Sequence, residues 1–271
     1  AWKVTLKGGE ARYAQRVLLA TGSSAKVWKM LEEMGLEMVP PVPSLFTFNI
    51  KDPRLQDLPG LSVPHAVLRI PEIRMEEGGP LLITHWGLSG PAVLKLSAWG
   101  ARELHGLTYR FELLVDWTGG EGREGVLESL REYKQEQGGK SVQKQYRWPD
   151  IPRRLWARLL KAAGIDEQER WADLSKKQLL RLAEELGEGR YEVKGKSTFK
   201  EEFVTAGGVE LREIDFRRFE SKKFPGLFLA GEVLDIDAVT GGFNFQAAWT
   251  GGYIAGLAIA EDLRQPPASS S

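Results

Sequence analysis

Polar and apolar residues alternate at the start of the chain and then give way to an uninterrupted apolar run. Residues 2–7 alternate as a half-buried strand does, Gly8 and Gly9 can form a turn, and residues 14–20 end in Val-Leu-Leu-Ala. Two such runs on either side of a glycine pair predict a β-hairpin.

The next segment carries the signals of a helix followed by a break. Ser23 or Ser24 can cap a helix that extends to about Met34, and Gly35 suits the position after its end. Residues 40–43, Pro-Pro-Val-Pro, exclude both a helix and a central strand. We interpret this stretch as a crossing between domains.

The middle of the chain changes from a strand pattern to a helix pattern. Short apolar runs separated by Gly and Pro predict mostly β structure over residues 45–117, apart from one helix over residues 90–104. Helical spacing follows over residues 123–186, where Ser175 and Gln178 form a capping box for the last helix.

The strand pattern returns after Tyr191 and leads to the most informative segment. Residues 226–230 have the composition of a buried strand, a glycine-rich turn follows, and a helix is predicted from about residue 244 to residue 263. The tail at residues 266–271 is typical of a disordered linker.

The composition excludes several kinds of chemistry. The 271 residues are 42% apolar and 27% charged, as in an ordinary globular protein, and include no cysteine. Disulfides, thiolate metal sites and a cysteine nucleophile are therefore excluded, so redox chemistry would need a bound cofactor. The three histidines lack the spacing of metal ligands, and we expect no metal.

Charge and hydropathy argue against several partners. Lys plus Arg and Asp plus Glu both number 37, so the whole molecule has no bias toward nucleic acid, an acidic membrane surface or an acidic substrate. No apolar run approaches the roughly 20 residues that cross a bilayer, and the first residues lack the order of a signal peptide. We expect a cytoplasmic protein without a membrane partner.

The strand at residues 227–230 ends in Gly231 and Glu232. A glycine lets the backbone approach a ligand closely, and a carboxylate can accept hydrogen bonds from sugar-type hydroxyls. The helix that follows from Asn244 offers unpaired N–H groups and a partial positive charge, which suit the N1/C2 carbonyl edge of a flavin. The alternative is an ordinary strand-to-helix turn with a solvated Glu232.

These residues carry a resemblance to a known family. The stretch 231–246, GEVLDIDAVTGGFNFQ, resembles the carboxyl-terminal flavin signature of the aminoacetone-oxidase-like (BaiN-like) family of FAD-dependent flavoproteins. Residues 204–209 and 220–227 are similar to the family's preceding stretch, and residues 84–91, THWGLSGP, to its inserted domain. Residues 17–22, VLLATG, resemble a strand of flavoprotein disulfide-reductase-like folds.

The resemblance implies a mixed α/β (α+β) chain in which an incomplete FAD-binding Rossmann-like domain is interrupted by a β-rich domain and a helical subdomain. Our segmentation assigns residues 1–43 and 211–265 to the partial FAD-binding domain. It assigns residues 44–120 and 191–210 to the β-rich inserted domain and residues 121–190 to the helical subdomain.

The implied activity is that of an FAD-dependent oxidoreductase acting on a small molecule, with NAD(P)H as a candidate redox partner. Glu232 would bind the ribityl or ribose hydroxyls, and residues 244–246 would lie at the isoalloxazine edge. His85 is a candidate acid or base, although a structural histidine bonded to backbone is the alternative. The residues expected to bind FAD are Thr21, Gly22, Thr205, Gly207, Gly208, Gly231, Glu232, Asp235, Thr240, Gly241, Gly242, Asn244, Phe245 and Gln246.

The chain departs from the family's pattern at its start. The family opens with a strand, a G-x-G-x-x-G turn and a helix that hold the ADP half of FAD, and we expect this chain to be a truncated carboxyl-terminal part. Gly120, Gly122 and Gly125 do form a G-x-G-x-x-G sequence, but residues 116–119 separate it from the preceding strand-like run. We interpret it as a turn between domains.

A second hypothesis is a non-enzymatic module that binds RNA or a protein. Residues 140–161 carry seven cations against one acid, Asp150, with Tyr146, Trp148 and Trp156 among them. Such a segment can bind single strands by phosphate contact and stacking. The zero net charge favours a solvated helix face with inward aromatics instead, and argues against nucleic acid as a partner.

Overall fold

A computed structural model describes residues 1–197 and 204–264. The chain forms two compact units, one made of residues 1–43 and 204–271 and the other of residues 44–203. The tail predicted to be disordered, residues 266–271, lies outside the described residues. None of the described helices is long and apolar enough to cross a membrane.

The elements are numbered in chain order. The first segment contains β1 (Trp2–Thr5), β2 (Ala11–Ala14), β3 (Val17–Leu19), α1 (Ala25–Glu33) and β4 (Met38–Ser44). The second unit contains β5 (Thr47–Ile50), β6 (Ser62–Ile70), β7 (Met75–Ile83), β8 (Gly87–Ser89), α2 (Pro91–Trp99), α3 (Ala101–Gly106), β9 (Arg110–Asp116), α4 (Gly122–Gln137), α5 (Arg153–Ala162), α6 (Lys176–Gly187) and β10 (Gly189–Ser197). The chain then adds β11 (Val204–Val209), β12 (Ile214–Asp215), β13 (Glu220–Ser221), β14 (Leu227–Leu229) and α7 (Phe243–Arg264) to the first unit.

Six strands of the second unit close into a barrel in the order β10-β5-β8-β7-β6-β9. Inward residues such as Phe48 and Phe111 are buried, and their rings meet edge to face at 5.2 Å. The β structure expected over residues 45–117 is therefore present. The single helix expected over residues 90–104 is wrong, because the chain turns at Gly100 and forms α2 and α3.

The helical part of the second unit packs as its spacing predicts. Leu155, Leu159 and Leu160 of α5 are completely buried, in one core with the barrel interior. The capping box at the start of α6 is confirmed, since Ser175 Oγ accepts from the Gln178 N–H and the Gln178 side chain accepts from the Ser175 N–H. Such a cap satisfies two backbone donors that the helix leaves unpaired.

The G-x-G-x-x-G sequence forms the turn between β9 and α4. Asp116 accepts hydrogen bonds from the Thr118 N–H and from the Gly122 N–H, both at 2.8 Å. The helix start therefore already faces a carboxylate of the chain itself, where a phosphate-binding turn would leave its N–H groups to the ligand. The glycine that this turn requires is Gly187 at the end of α6, because a Cβ there would lie 2.6 Å from the Gly122 carbonyl carbon.

Two parts of the first unit differ from expectation. β1 pairs with β2 in the predicted hairpin, but residues 17–19 form a separate strand, β3, that pairs in parallel with β14. An apolar run of this kind suits a parallel pair, in which both faces are covered. Residues 204–209, expected in the inserted domain, form β11 and pair with β4 within the first unit.

Arg54 joins three parts of the second unit. Its guanidinium donates to Asp52 at 2.8 and 2.9 Å, to Glu185 of α6 at 2.6 Å and to the Arg190 carbonyl of β10, and it lies 3.9 Å from the Tyr191 ring centroid. Burial alone would raise the pKa of Asp52, but its hydrogen bonds from Arg54 hold that pKa below its ordinary value. Burial raises the pKa of Tyr191.

We predict opposite effects for two glycine substitutions. Gly125→Ala should raise the free energy of unfolding by roughly 0.5–1 kcal/mol, because the site is helical and offers room for a Cβ. Gly187→Ala should lower it by roughly 1–3 kcal/mol, because the Cβ would lie 2.6 Å from the Gly122 carbonyl carbon. Urea unfolding measures both. A loss of stability in Gly125→Ala would contradict the assignment of this glycine to a plain helical position.

We also predict that Arg54→Met lowers the free energy of unfolding by roughly 1–3 kcal/mol at pH 7, because it leaves the partly buried carboxylates of Asp52 and Glu185 without their cation. The matched control is Arg69→Met, which breaks an exposed pair with Glu76 and should change stability by less than about 1 kcal/mol. The Arg54 effect should shrink as pH falls through the lowered pKa of Asp52, where this carboxylate protonates and loses its attraction to the guanidinium. Equal effects for the two variants would refute the role given to Arg54.

Candidate functional site

Two parallel strands bring the first group of predicted residues to one edge of a sheet. β3 and β14 are in register, with Leu19 opposite Leu229, and the Ala230 N–H donates to the Leu19 carbonyl at 3.1 Å. The carboxyl ends of parallel strands lie at the same edge, so Thr21 and Gly22 leave the sheet beside Gly231 and Glu232.

The backbone at this edge is shaped by glycine. Gly231 has φ +78°, and a Cβ at this residue would lie 3.4 Å from the Ala248 Cβ of α7. A side chain would therefore be strained here and would also crowd α7, so glycine lets the helix pack closely against the strand end.

Glu232 is half-buried at the same edge. Burial raises the pKa of its carboxyl, and no hydrogen bond or ion pair to it is found among residues 1–197 and 204–264. A buried acceptor usually has a donor. Glu232 therefore has full capacity to accept hydrogen bonds from a ligand.

A second polar group with an unused hydrogen bond lies at the start of α7, within the flavin-signature stretch of residues 231–246. Thr240, Gly241 and Gly242 are exposed, and both glycines have positive φ. The Asn244 Nδ2 donates to the Ala238 carbonyl at 3.1 Å, whereas Asn244 Oδ1 is the buried side-chain polar atom without a partner in the described part of the chain. A buried amide oxygen without a donor is energetically unfavourable unless a ligand supplies one.

Three further residues predicted to bind the cofactor differ in what they contact. Asp235 donates its backbone N–H to the Val209 carbonyl, which joins the signature segment to β11. Phe245 is exposed and stacks on Trp249 with ring centroids 6.0 Å apart, and Gln246 donates to Thr250 Oγ1 at 3.0 Å. Both side chains therefore lie on the outer side of α7.

The glycines of β11 are explained by packing within the first unit. A Cβ at Gly207 would lie 2.6 Å from the Pro41 Cα, and one at Gly208 would lie 2.7 Å from the Leu234 carbonyl carbon. Thr205 is buried beside them. The role of these three residues as a wall of the cofactor site stays a prediction.

His85 lies in a tight loop of the barrel unit. The Thr84 hydroxyl accepts from the backbone N–H groups of Trp86 and Gly87, both at 3.2 Å, and the Ile50 N–H donates to the Trp86 carbonyl at 2.9 Å. These bonds hold His85 and Trp86 outward, and both are exposed. Gly87 is required, since a Cβ there would lie 2.3 Å from the Phe48 carbonyl oxygen.

A pocket of about 500 Å³ adjoins this loop. Its lining includes Lys51, Asp52, Asp57, Thr84 and His85. The sequence analysis identified neither Lys51 nor Asp57 nor the neighbouring Trp86 as a site residue. Of the three, only Trp86 could have been found from the sequence, because it lies within the THWGLSGP motif. Within the described residues, no group of three His, Asp or Glu side chains could hold a metal ion.

Comparison with known proteins assigns the chain to a family of flavoprotein-type oxidoreductases. Residues 42–204 match the family described as HI0933-like protein barrel and H2TH domain, and the chain belongs to this HI0933-like family. The expected oxidoreductase class is thereby confirmed at the level of this family.

Three curated proteins are similar to most of the chain. Ribosomal RNA dihydrouridine synthase of Escherichia coli (strain K12) is 32% identical over 248 residues, which cover 89% of this chain and 57% of that protein. Ribosomal RNA dihydrouridine synthase of Haemophilus influenzae is 30% identical over 241 residues, 88% and 56% of the two chains. The 3-dehydro-bile acid delta(4,6)-reductase of Clostridium scindens is 27% identical over 280 residues, 96% and 67%. The chain thus spans little more than half the length of the two synthases.

We predict that Glu232→Gln stabilises the protein at pH 7. Because burial raises the pKa of Glu232 in the folded protein, the folded state loses stability as pH rises from the ordinary pKa of 4.5 through the folded-state pKa. Glutamine carries no ionisable group and removes this loss. The gain in melting temperature should disappear below about pH 4, where both forms are neutral. The matched control is Glu261→Gln on the exposed side of α7; an equal gain there, or none at Glu232, would contradict the prediction.

Proposed function

We propose that this protein is an FAD-dependent reductase that saturates a carbon–carbon double bond conjugated to a carbonyl group. The observation that carries the cofactor assignment is the buried, unpartnered Oδ1 of Asn244 in the segment that resembles a flavin signature. An edge of FAD that carries N–H donors, such as the flavin ring, would satisfy it.

The residues at the sheet edge fit such a cofactor. Glu232 would accept hydrogen bonds from ribityl or ribose hydroxyls, since its carboxylate has no partner of its own among the described residues. Gly22 and Gly231 would let the backbone approach the cofactor, because neither carries a side chain and both have positive φ. The first turn of α7 would place partial positive charge beside the flavin edge.

FAD would supply the hydride chemistry, and the protein would bind, orient and tune it. The reduction of a conjugated double bond adds a hydride at one carbon and a proton at the other. NAD(P)H is the proposed class of hydride source. His85 is the proposed proton donor through a ring nitrogen, because it is exposed on a pocket of ligand size and has no hydrogen-bond partner in the described part of the chain.

The names of the similar proteins support the substrate class. One product named is dihydrouridine, in which the double bond of the uracil ring is saturated. The other name describes reduction of delta(4,6) double bonds in a 3-dehydro, that is 3-oxo, bile acid. A double bond conjugated to a carbonyl is common to both substrates. The alternative of a non-enzymatic module that stacks RNA on Tyr146, Trp148 and Trp156 is not favoured, because the two tryptophans belong to the core and Tyr146 packs against it.

The test is FAD binding by the purified protein, followed by flavin absorbance and by quenching of flavin fluorescence. Asn244→Ala should weaken binding roughly tenfold, which corresponds to the loss of about one hydrogen bond. Glu261→Gln, on the exposed side of α7, should bind like the parent. Reduction of the bound flavin by NADPH and its reoxidation by a conjugated ketone or uridine would support the reductase. A protein that gains no flavin bands in excess FAD would contradict the proposal.

A further inference from the structure

The outward side of α5 is occupied by cations. At 100° per residue, four basic side chains fall within an arc of about 140° on the helix. The opposite side carries the buried residues Leu155, Trp156, Leu159 and Leu160. We call the outward group the α5 cationic face, and it consists of Arg153, Arg154, Arg158 and Lys161.

Only one carboxylate opposes this face among the ion pairs of the described residues. Arg158 lies 3.3 Å from the Asp57 carboxylate, and Arg154 donates to the Asp57 backbone carbonyl. Arg153 and Lys161 are exposed, and no ion pair joins either to the described residues. The helix itself contains no acid. The face therefore has surplus positive charge that is free to meet an anionic partner.

The two cations in the first turn of α5 do not favour the helix through its dipole. Positive charge in the first turn of a helix opposes the helix dipole and is unfavourable by roughly 0.3–1 kcal/mol. Arg153 and Arg154 occupy that turn, and no acidic residue accompanies them. Burial of the four apolar residues holds α5 in place instead. Arg153, for which no ion pair is found among the described residues, is therefore better explained by binding than by folding.

The face adjoins the pocket beside His85. Asp57, which contacts two residues of the face, also lines this pocket together with Lys51 and His85. Trp86 is in the same loop as His85, and 55% of its surface is exposed. Cations, a cavity and a free aromatic ring therefore lie together on one unit.

We propose that the α5 cationic face and the adjoining pocket bind single-stranded RNA, with phosphates on the cations and an unstacked base on Trp86. The inference rests on the proposed function, because it names RNA as the class of substrate. Phosphate contacts provide most of the affinity for nucleic acid, and unpaired bases stack on exposed aromatic rings. A membrane surface is disfavoured, because Ala157 and Ala162 are the only apolar residues on the outward side of the helix.

The charge test uses the full chain, a fluorescent single-stranded oligoribonucleotide and anisotropy at several salt concentrations. The double variant Arg153→Glu with Lys161→Glu should weaken binding and reduce the slope of log affinity against log salt by roughly 1–2, since each phosphate contact on a single strand contributes about 0.7. The matched control, Lys3→Glu with Lys7→Glu, reverses two exposed charges in the other unit and should retain the parent slope. Thermal melting checks that all variants are folded.

The stacking test compares two exposed tryptophans of the same unit. Trp86→Ala should weaken RNA binding by roughly 5- to 100-fold, whereas Trp99→Ala, at an even more exposed position at the end of α2, should leave it unchanged. Equal effects of test and control variants would overturn the proposal. So would a lack of RNA binding at low salt, or tighter binding to anionic lipid vesicles or to an acidic peptide.

These measurements need neither flavin nor reductant. A protein that binds FAD and reduces a conjugated ketone, but not RNA, would therefore refute the RNA surface and leave the reductase intact. A protein that binds RNA through α5 but takes up no flavin would refute the reductase. In that case the RNA surface would stand as a binding site without the proposed substrate role.

Discussion

The partly buried guanidinium of Arg54 links the loop, helical and strand parts of the barrel unit to one another. A cation with little access to water is tolerated only when carboxylates and carbonyls surround it. Its partners come from its own loop, from Glu185 of α6 and from Arg190 of β10, and its plane covers the Tyr191 ring. The position of the helical part against the barrel is therefore coupled to one charge. The loop that this charge anchors also carries Asp57, so the geometry of the pocket and of the α5 cationic face depends on it.

Close backbone approach is the second constraint, and glycine makes it possible at a few sites. Gly87 lets β8 lie against β5, which sets the loop that presents His85 and Trp86. Gly187 lets the end of α6 reach the start of α4. Both contacts are between backbone atoms, which cannot move aside as a flexible side chain could. His85 and Trp86 thus lie in a short loop whose two ends are fixed by β7 and β8.

The first unit has a different character, because its candidate site contains polar groups with unused bonding capacity. Most buried polar atoms of a protein have partners, and in the described residues Asn244 Oδ1 is the exception among buried side-chain atoms. Glu232 lies at the nearby sheet edge with a carboxyl whose pKa is raised by burial. Folding alone gains nothing from either arrangement. Unsatisfied groups of this kind are expected where a protein awaits a ligand, which is the reasoning behind the flavin proposal.

Local features were determined by the sequence, because their causes lie within a few residues. The capping box at Ser175, the buried side of α5 and the strand before Gly231 follow from spacing and side-chain chemistry alone. Long-range pairing was decided only by the tertiary structure. No local signal shows that residues 17–19 pair in parallel with a strand some 200 residues later, or that Arg54 meets Glu185. Such contacts depend on which distant surfaces can be buried together, and that is a property of the whole packed chain.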